Sequence, residues 1–279
     1  MALSLALGGP PPGPELPALP QAAIDPEAVE GLYRSPRSPW VRANMVVSLD
    51  GAVELEGRSS ALGSPDDRLV FTALRALADV VLVGSGTARA ENYGPALVAS
   101  PARARRLERG QTPAPPVAVL TNRADLDPDA RLFTAGSDER ARPILLTCQQ
   151  APEAARKALA ERADVVICGQ GSVDLRVALE QLRARGLPGV LCEGGPTIIT
   201  GLLALGAVDE LCLTQAPVVA GPDHLRLVAG APLAGAVHAR LIHLLAGDDA
   251  LFARYQLAPA RAAQPSPSGT GPFGTGVDP

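Results

Sequence analysis

A chain of 279 residues, nearly half apolar but poor in aromatics, has the length and composition for a large α/β core built from Val, Leu, Ile and Ala. Its formal charge of −4 excludes the basic footprint of a nucleic-acid-binding protein, and no run reaches the roughly 20 apolar residues of a membrane-spanning helix. The first nine residues carry neither a basic leader nor a long apolar centre, so no secretory signal is read, and a soluble cytoplasmic protein is expected.

Residues 1–39 read as a Pro- and Ala-rich lead-in ending in a short helix, Pro26 to Tyr33, with Asp25 as its N-cap and Pro26 in the first turn. Residues 40–258 read as the folded body. Val41 to Ser48 is predicted as a strand and Pro65 to Leu77 as a helix. Asp79 to Val83 is a buried strand that runs into Gly84-Ser85-Gly86-Thr87. Strands follow at Val117 to Thr121, which ends at Asn122-Arg123, and at Ile144 to Thr147. Then come a helix over Pro152 to Arg162, a strand over Asp164 to Cys168, the turn Gly169-Gln170-Gly171-Ser172 and a helix reaching about Arg185. Gly189 to Cys192 is a buried strand, and after Glu193-Gly194-Gly195 a helix starts at Pro196. Val208 to Thr214 is a strand. Val237 to Leu245 and Leu251 to Leu257 form an antiparallel hairpin about Gly247-Asp248-Asp249. Strands alternating with helices predict a mostly parallel central sheet flanked by helices. Residues 259–279, rich in Pro, Gly and Ser, read as a disordered tail.

The four cysteines, Cys148, Cys168, Cys192 and Cys212, have no C-x-x-C spacing and no neighbouring histidines, so buried structural thiols are expected and no metal site. The chemistry sits in the turns. Glycines between a buried strand and a helix start expose backbone N–H groups at the positive end of the helix dipole, an arrangement that binds phosphates. Ala78 to Thr87 and Ala163 to Ser172 echo each other: each is a buried strand ending in Gly-x-Gly and a hydroxyl. The third glycine of the dinucleotide fingerprint is replaced by Arg89 in one and Asp174 in the other, so the Rossmann assignment fails. Three glycine turns on one sheet edge suit a long, doubly charged ligand. Thr121-Asn122-Arg123 combines hydroxyl, amide and guanidinium, a set able to grip the 2′-phosphate that separates NADPH from NADH.

Asn44 to Gly51, Leu74-Arg75-Ala76 with Asp79 to Glu91, and Glu193 to Thr197 followed by Val208-Asp209-Glu210-Leu211 resemble, in that order, the reductase domain of bacterial riboflavin biosynthesis, a family similar to dihydrofolate reductase in fold. The resemblance implies a single dihydrofolate-reductase-like domain over most of residues 40–257. It implies an NADPH-dependent reductase acting on 5-amino-6-ribosylaminouracil 5′-phosphate or a related heterocycle, and a homodimer. It also implies that Gly84, Ser85, Gly86 and Thr87, then Thr121, Asn122 and Arg123, then Gly169 and Gln170, and finally Glu193, Gly194, Gly195, Pro196 and Thr197 hold the cofactor. Asn44, Ser48, Asp50, Arg89 and Tyr93 are the candidate substrate contacts; Asp67 and Glu193 are the candidate catalytic carboxylates. Two departures stand out. No zinc deaminase signature occurs in this sequence. The arginine that such reductases carry after the segment equivalent to Ala90-Glu91 is missing from Asn92-Tyr93-Gly94-Pro95-Ala96-Leu97-Val98, which leaves Arg58, Arg68 and Arg89 as replacements. Pro65 to Phe71 is similar to the start of the dihydrofolate reductase helix that carries its pterin-binding carboxylate. A pterin such as dihydrofolate is therefore an alternative substrate, and an NADPH-binding regulatory protein without turnover is the non-enzymatic alternative.

Overall fold

The computed structural model describes residues 4–5, 25–35, 38–134 and 142–258. Most of the lead-in and the tail after residue 258 lie outside the described residues. The strands are β1 (Ser4–Leu5), β2 (Trp40–Val47), β3 (Val80–Gly84), β4 (Val117–Leu120), β5 (Ile144–Thr147), β6 (Asp164–Ile167), β7 (Gly189–Cys192), β8 (Glu210–Gln215), β9 (Ala239–Gly247) and β10 (Ala250–Leu257). They form one ten-stranded sheet in the order β1-β9-β10-β8-β2-β7-β3-β4-β5-β6. From β8 to β6 every pairing is parallel, while β9 and β10 close the other side as an antiparallel hairpin.

The period-two alternation of a strand divides the core. In β3, Val81 and Val83 pack on one face, with α1 (Pro26–Tyr33) and α2 (Pro65–Leu77); Val80 and Leu82 pack on the other, with α7 (Leu175–Ala184) and α8 (Pro196–Ala204). All five residues of β3 are buried, as a central parallel strand covered on both faces requires. The short α3 (Ser85–Ala90), α4 (Ser100–Glu108), α5 (Arg131–Thr134) and α6 (Glu153–Ala160) complete the helices. The expected α/β domain with a mostly parallel sheet and a terminal hairpin is what forms. All four cysteines are buried and free. Among the described residues no helix is long and apolar enough to cross a membrane, and no cluster of His, Cys, Asp or Glu is placed to hold a metal.

The helix that matters most for the site is α2. Ser64 caps it, its Oγ accepting from Asp67 N at 3.1 Å, and Pro65 occupies the first turn. Its far end is held by Arg106 of α4, a fully buried side chain whose Nη1 donates to the carbonyls of Ala76 at 3.0 Å and Ala78 at 2.6 Å. A buried cation on the last carbonyls opposes the negative end of the helix dipole.

Candidate active site

β7 lies between β2 and β3 although it is made more than a hundred residues after β3 begins. That insertion sets the Glu193-Gly194-Gly195 turn beside the Gly84 turn. Glu193 N donates to Leu82 O at 2.9 Å, and Gly84 N donates to Gly194 O at 3.0 Å, so the parallel ladder continues through both turns. Gly194 has φ +105°, a conformation that favours glycine. At Gly195 a Cβ would sit 2.8 Å from Thr87 Oγ1, and at Gly86 a Cβ would meet nothing within 4 Å. Neither α3 nor α8 has a side-chain cap. Uncapped helix starts with little side chain around them suit an anion such as a pyrophosphate.

In front of these turns lies a cavity of about 970 Å³, bounded by α2, by the loop after β2 and by the carboxyl ends of β2, β3, β4 and β7. Glu193 projects into it, buried and anchored at both oxygens. Its Oε1 accepts from Arg75 Nε and its Oε2 from Arg75 Nη2, both at 2.7 Å, and Tyr93 Oη donates to Oε2 at 2.5 Å. The Arg75 guanidinium also lies over the Phe71 ring, 4.1 Å from its centroid. Burial, reinforced by the Glu193 charge, holds the Tyr93 phenol well above its usual range, so it stays a donor. Asp67 lines the same cavity from the first turn of α2, its Oδ1 accepting from Thr214 Oγ1 of β8 at 2.7 Å. Burial raises its carboxyl above the ordinary aspartate value; the Thr214 hydrogen bond opposes that shift without cancelling it. A carboxyl raised in this way, facing a cavity, is placed to act as an acid.

The structure therefore brings Asn44, Asp67, Tyr93 and Glu193 together with Gly84 to Thr87, Thr121, Asn122 and Gly194 to Thr197 around one space. The remaining candidates stand elsewhere. Ser48 is buried; its Oγ donates to Asp50 Oδ1 at 2.6 Å and accepts from Ala52 N at 2.8 Å. Asp50 accepts from Ala220 N at 3.0 Å and Gly221 N at 2.8 Å, bonds that hold its carboxyl well below the usual range. Together they tie the loop after β2 to the loop after β8, with Gly51 at φ +87°, and do not line the cavity. Arg89 is exposed and paired with Asp125 at 3.1 Å, also outside the lining. Thr121 Oγ1 accepts from the N–H groups of Arg123 and Ala124, so it shapes its own loop. Asn122 reaches both ways: it lines the cavity, and its Oδ1 accepts from Val173 N at 2.8 Å. Gly169 and Gln170 follow β6, three strands beyond β3 at the sheet edge, and lie outside the cavity with Arg123. Gly169 has φ +149°, and its turn pairs with the one after β5 through Gln149 N to Gly169 O at 2.9 Å.

Arg75, Phe71 and Glu91 are site residues that the sequence reading did not assign. Arg75 falls in the last turn of α2, where a basic residue already suits the dipole, and its partner lies 118 residues away. Glu91 Oε1 accepts from both N and Oγ of Ser59, at 2.6 and 2.8 Å, and so clips the loop after β2 to the end of α3.

This geometry has relatives. Residues 39–251 match the family model described as the RibD C-terminal domain. The 2,5-diamino-6-ribosylamino-4(3H)-pyrimidinone 5′-phosphate reductase of Archaeoglobus fulgidus is 29% identical over 184 residues, covering 66% of this chain and 82% of that protein. The protein of the same name from Methanothermobacter thermautotrophicus is 30% identical over 193 residues, covering 69% and 84%. Among solved structures, a pyrimidine reductase-like protein from Corynebacterium diphtheriae superposes with a TM-score of 0.74 at 28% identity, over 79% of this chain and 92% of that one. With the motifs in the same order and the match spanning the whole described sheet from β2 into β10, the chain belongs to the RibD C-terminal domain family.

Proposed function

We propose that this chain is an NADPH-dependent reductase of the riboflavin pathway, acting on a ribosylaminopyrimidine 5′-phosphate. The observation that carries the reading is the meeting of two bare-backbone glycine turns, after β3 and β7, at one wall of an acid-lined cavity. NADPH, when bound, supplies a hydride to the carbon of the C=N bond that an opened ribosylamine presents. The chain supplies the rest. The turns after β3 and β7 hold the pyrophosphate on the backbone N–H groups of Ser85 to Thr87, Gly195 and Thr197, since Gly84 N is committed to Gly194 O and Pro196 carries no N–H. Asn122 and Arg123 take the 2′-phosphate, Arg123 being exposed with no ion-pair partner among the described residues. The Gly169–Gln170 turn, tied to Asn122 through Val173, continues that rim. Asn44 and Tyr93 contact the heterocycle. Glu193, fixed from two sides by Arg75 and Tyr93, accepts one amino hydrogen at Oε1, which takes a single bond from the chain. Asp67, whose carboxyl is raised by burial, delivers the proton that completes the reduction. The proposed assembly is a homodimer, which sedimentation equilibrium checks; a monomer at working concentration would remove that part.

The Asp67–Thr214 pair favours one second reading, a pterin such as dihydrofolate protonated from the same carboxyl. Oxidation of NADPH against the pyrimidine phosphate and dihydrofolate separates the two. Turnover of the pyrimidine supports the first reading; turnover of dihydrofolate alone supports the second; binding of NADPH without turnover of either would make the chain a nucleotide-binding regulator.

A further inference from the structure

The proposed substrate is a dianion, yet the cavity is acidic. Glu54, Asp67, Glu91 and Glu193 line it against two guanidinium groups, Arg68 and Arg75. Arg75 is already committed to Glu193 by a bidentate pair. Arg58 does not line the cavity, and Arg89 is engaged with Asp125 outside it. The first-turn amides of α2 are taken as well: Asp66 N donates to Asp248 Oδ2 at 2.9 Å, Asp67 N to Ser64 Oγ at 3.1 Å and Arg68 N to Ser64 O at 3.0 Å. One cation remains. Arg68 is exposed at the cavity rim, and among the described residues its guanidinium has no ion-pair partner.

Its position suits the substrate. Ser64, Asp67, Arg68, Phe71, Thr72 and Arg75 all line the cavity, and their spacing puts them on one stripe of α2. Arg75, with 13% of its side chain exposed, marks the inner end of that stripe and Arg68 the mouth. Seven residues of helix separate them by about 10 Å, which leaves room for a sugar chain between a heterocycle at Glu193 and a phosphate at the rim. The segment Asn92 to Val98 holds no arginine, and its Leu97 is exposed on the cavity wall. We infer that Arg68 is the phosphate-recognition residue of this enzyme, taking the 5′-phosphate of the substrate at the cavity mouth through a bidentate, charge-assisted contact.

The inference rests on the reductase reading, and its test separates the two. The specificity constant kcat/KM is measured for the ribosylaminopyrimidine 5′-phosphate and for its dephosphorylated nucleoside, with the parent, Arg68→Gln and Arg68→Lys. The parent should prefer the phosphate. Arg68→Gln should cut that preference about ten- to a hundredfold, chiefly through KM, and Arg68→Lys should restore part of it. An Arg68→Gln enzyme that keeps the parental preference overturns the inference while leaving the reductase reading intact. A parent that reduces neither compound defeats the reductase reading, and calorimetric titration of the same two compounds then decides on Arg68. A phosphate preference in binding that Arg68→Gln erases supports it; equal binding of both compounds by the parent overturns it.

Discussion

Asp67 carries the clearest chemical consequence of a single position. Its carboxyl is raised by burial and held down in part by Thr214. A raised acid stays protonated to higher pH, so a rate that needs the protonated form is full below that value and falls as pH rises through it. Asp67→Asn should remove this limb and lower kcat by about 10²–10⁴-fold, with NADPH affinity unchanged by calorimetry. Thr214→Val removes the hydrogen bond that lowers the pKa, so the limb should move to higher pH; a limb that stays put or moves down would take the proton from another group. Gly195 gives a second test. Its φ of −80° is open to any residue, so the effect of a substitution there is read through its side chain. A Cβ would press on Thr87 Oγ1 at 2.8 Å, and a carboxylate would add charge where a pyrophosphate is expected. Gly195→Asp should abolish cofactor binding in a protein that still gives the parental circular dichroism spectrum. Normal binding by that variant would place the pyrophosphate elsewhere.

Elements were legible where pattern and caps agreed, and hidden where a polar side chain does the packing. The helix Pro65 to Leu77, with Ser64 ahead of it, runs as the periodicity predicts, because cap, proline and apolar stripe all point one way. α4 escaped: Ser-Pro-Ala-Arg-Ala-Arg-Arg-Leu-Glu shows little apolar periodicity, and it is buried through Ala102, packed near Ala76, and through Arg106, which donates to carbonyls at the end of α2. The short α3 was visible only as a glycine turn, and Ser48 with Asp50 looked like site residues because a turn-building carboxylate and a ligand-binding one share a sequence signature. Another hidden junction fastens α1 to the sheet. Arg42 of β2 and Arg254 of β10 share Glu210 of β8, Nη2 to carboxylate at 2.5 Å in each case, and donate onward to the carbonyls of Tyr33 and Leu32 at the end of α1. Burial works against the Glu210 charge, but the two guanidiniums outweigh it and hold the carboxyl below its usual value. Stability from this group is present above the unfolded-state pKa and is lost as pH falls through the folded one. Glu210→Gln leaves two buried cations without a counter-ion and should cost about 3–5 kcal/mol in denaturant unfolding at neutral pH. A loss near zero would mean that the arginines are satisfied by carbonyls alone.

Strand order is what assembles the site, and sequence order does not reveal it. The two similar glycine turns, after β3 and β6, read as equivalent, yet they end three strands apart, while the turn after β7 becomes the neighbour of β3. The sequence placed glycine turns at one edge of a parallel sheet, and they lie there; which of them share a cavity depended on β7 being inserted between β2 and β3. The cofactor should therefore couple to the stability of the entire fold. NADPH at about 100 times its Kd should add about 2.7 kcal/mol and raise the melting temperature. Arg123→Ala should reduce that gain for NADPH and leave the smaller gain from NADH unchanged; equal losses for both would move the 2′-phosphate away from Arg123. The central claim, hydride transfer to a pyrimidine substrate in the cavity between the β3 and β7 turns, has one direct test. NADPH carrying deuterium at its transferable position is incubated with the ribosylaminopyrimidine 5′-phosphate, and the pyrimidine product is weighed by mass spectrometry. The parent should yield a ribitylamino product bearing a single deuterium, and Gly195→Asp should yield none. Unlabelled product, or no reduced pyrimidine at all while the cofactor is bound, would contradict the account.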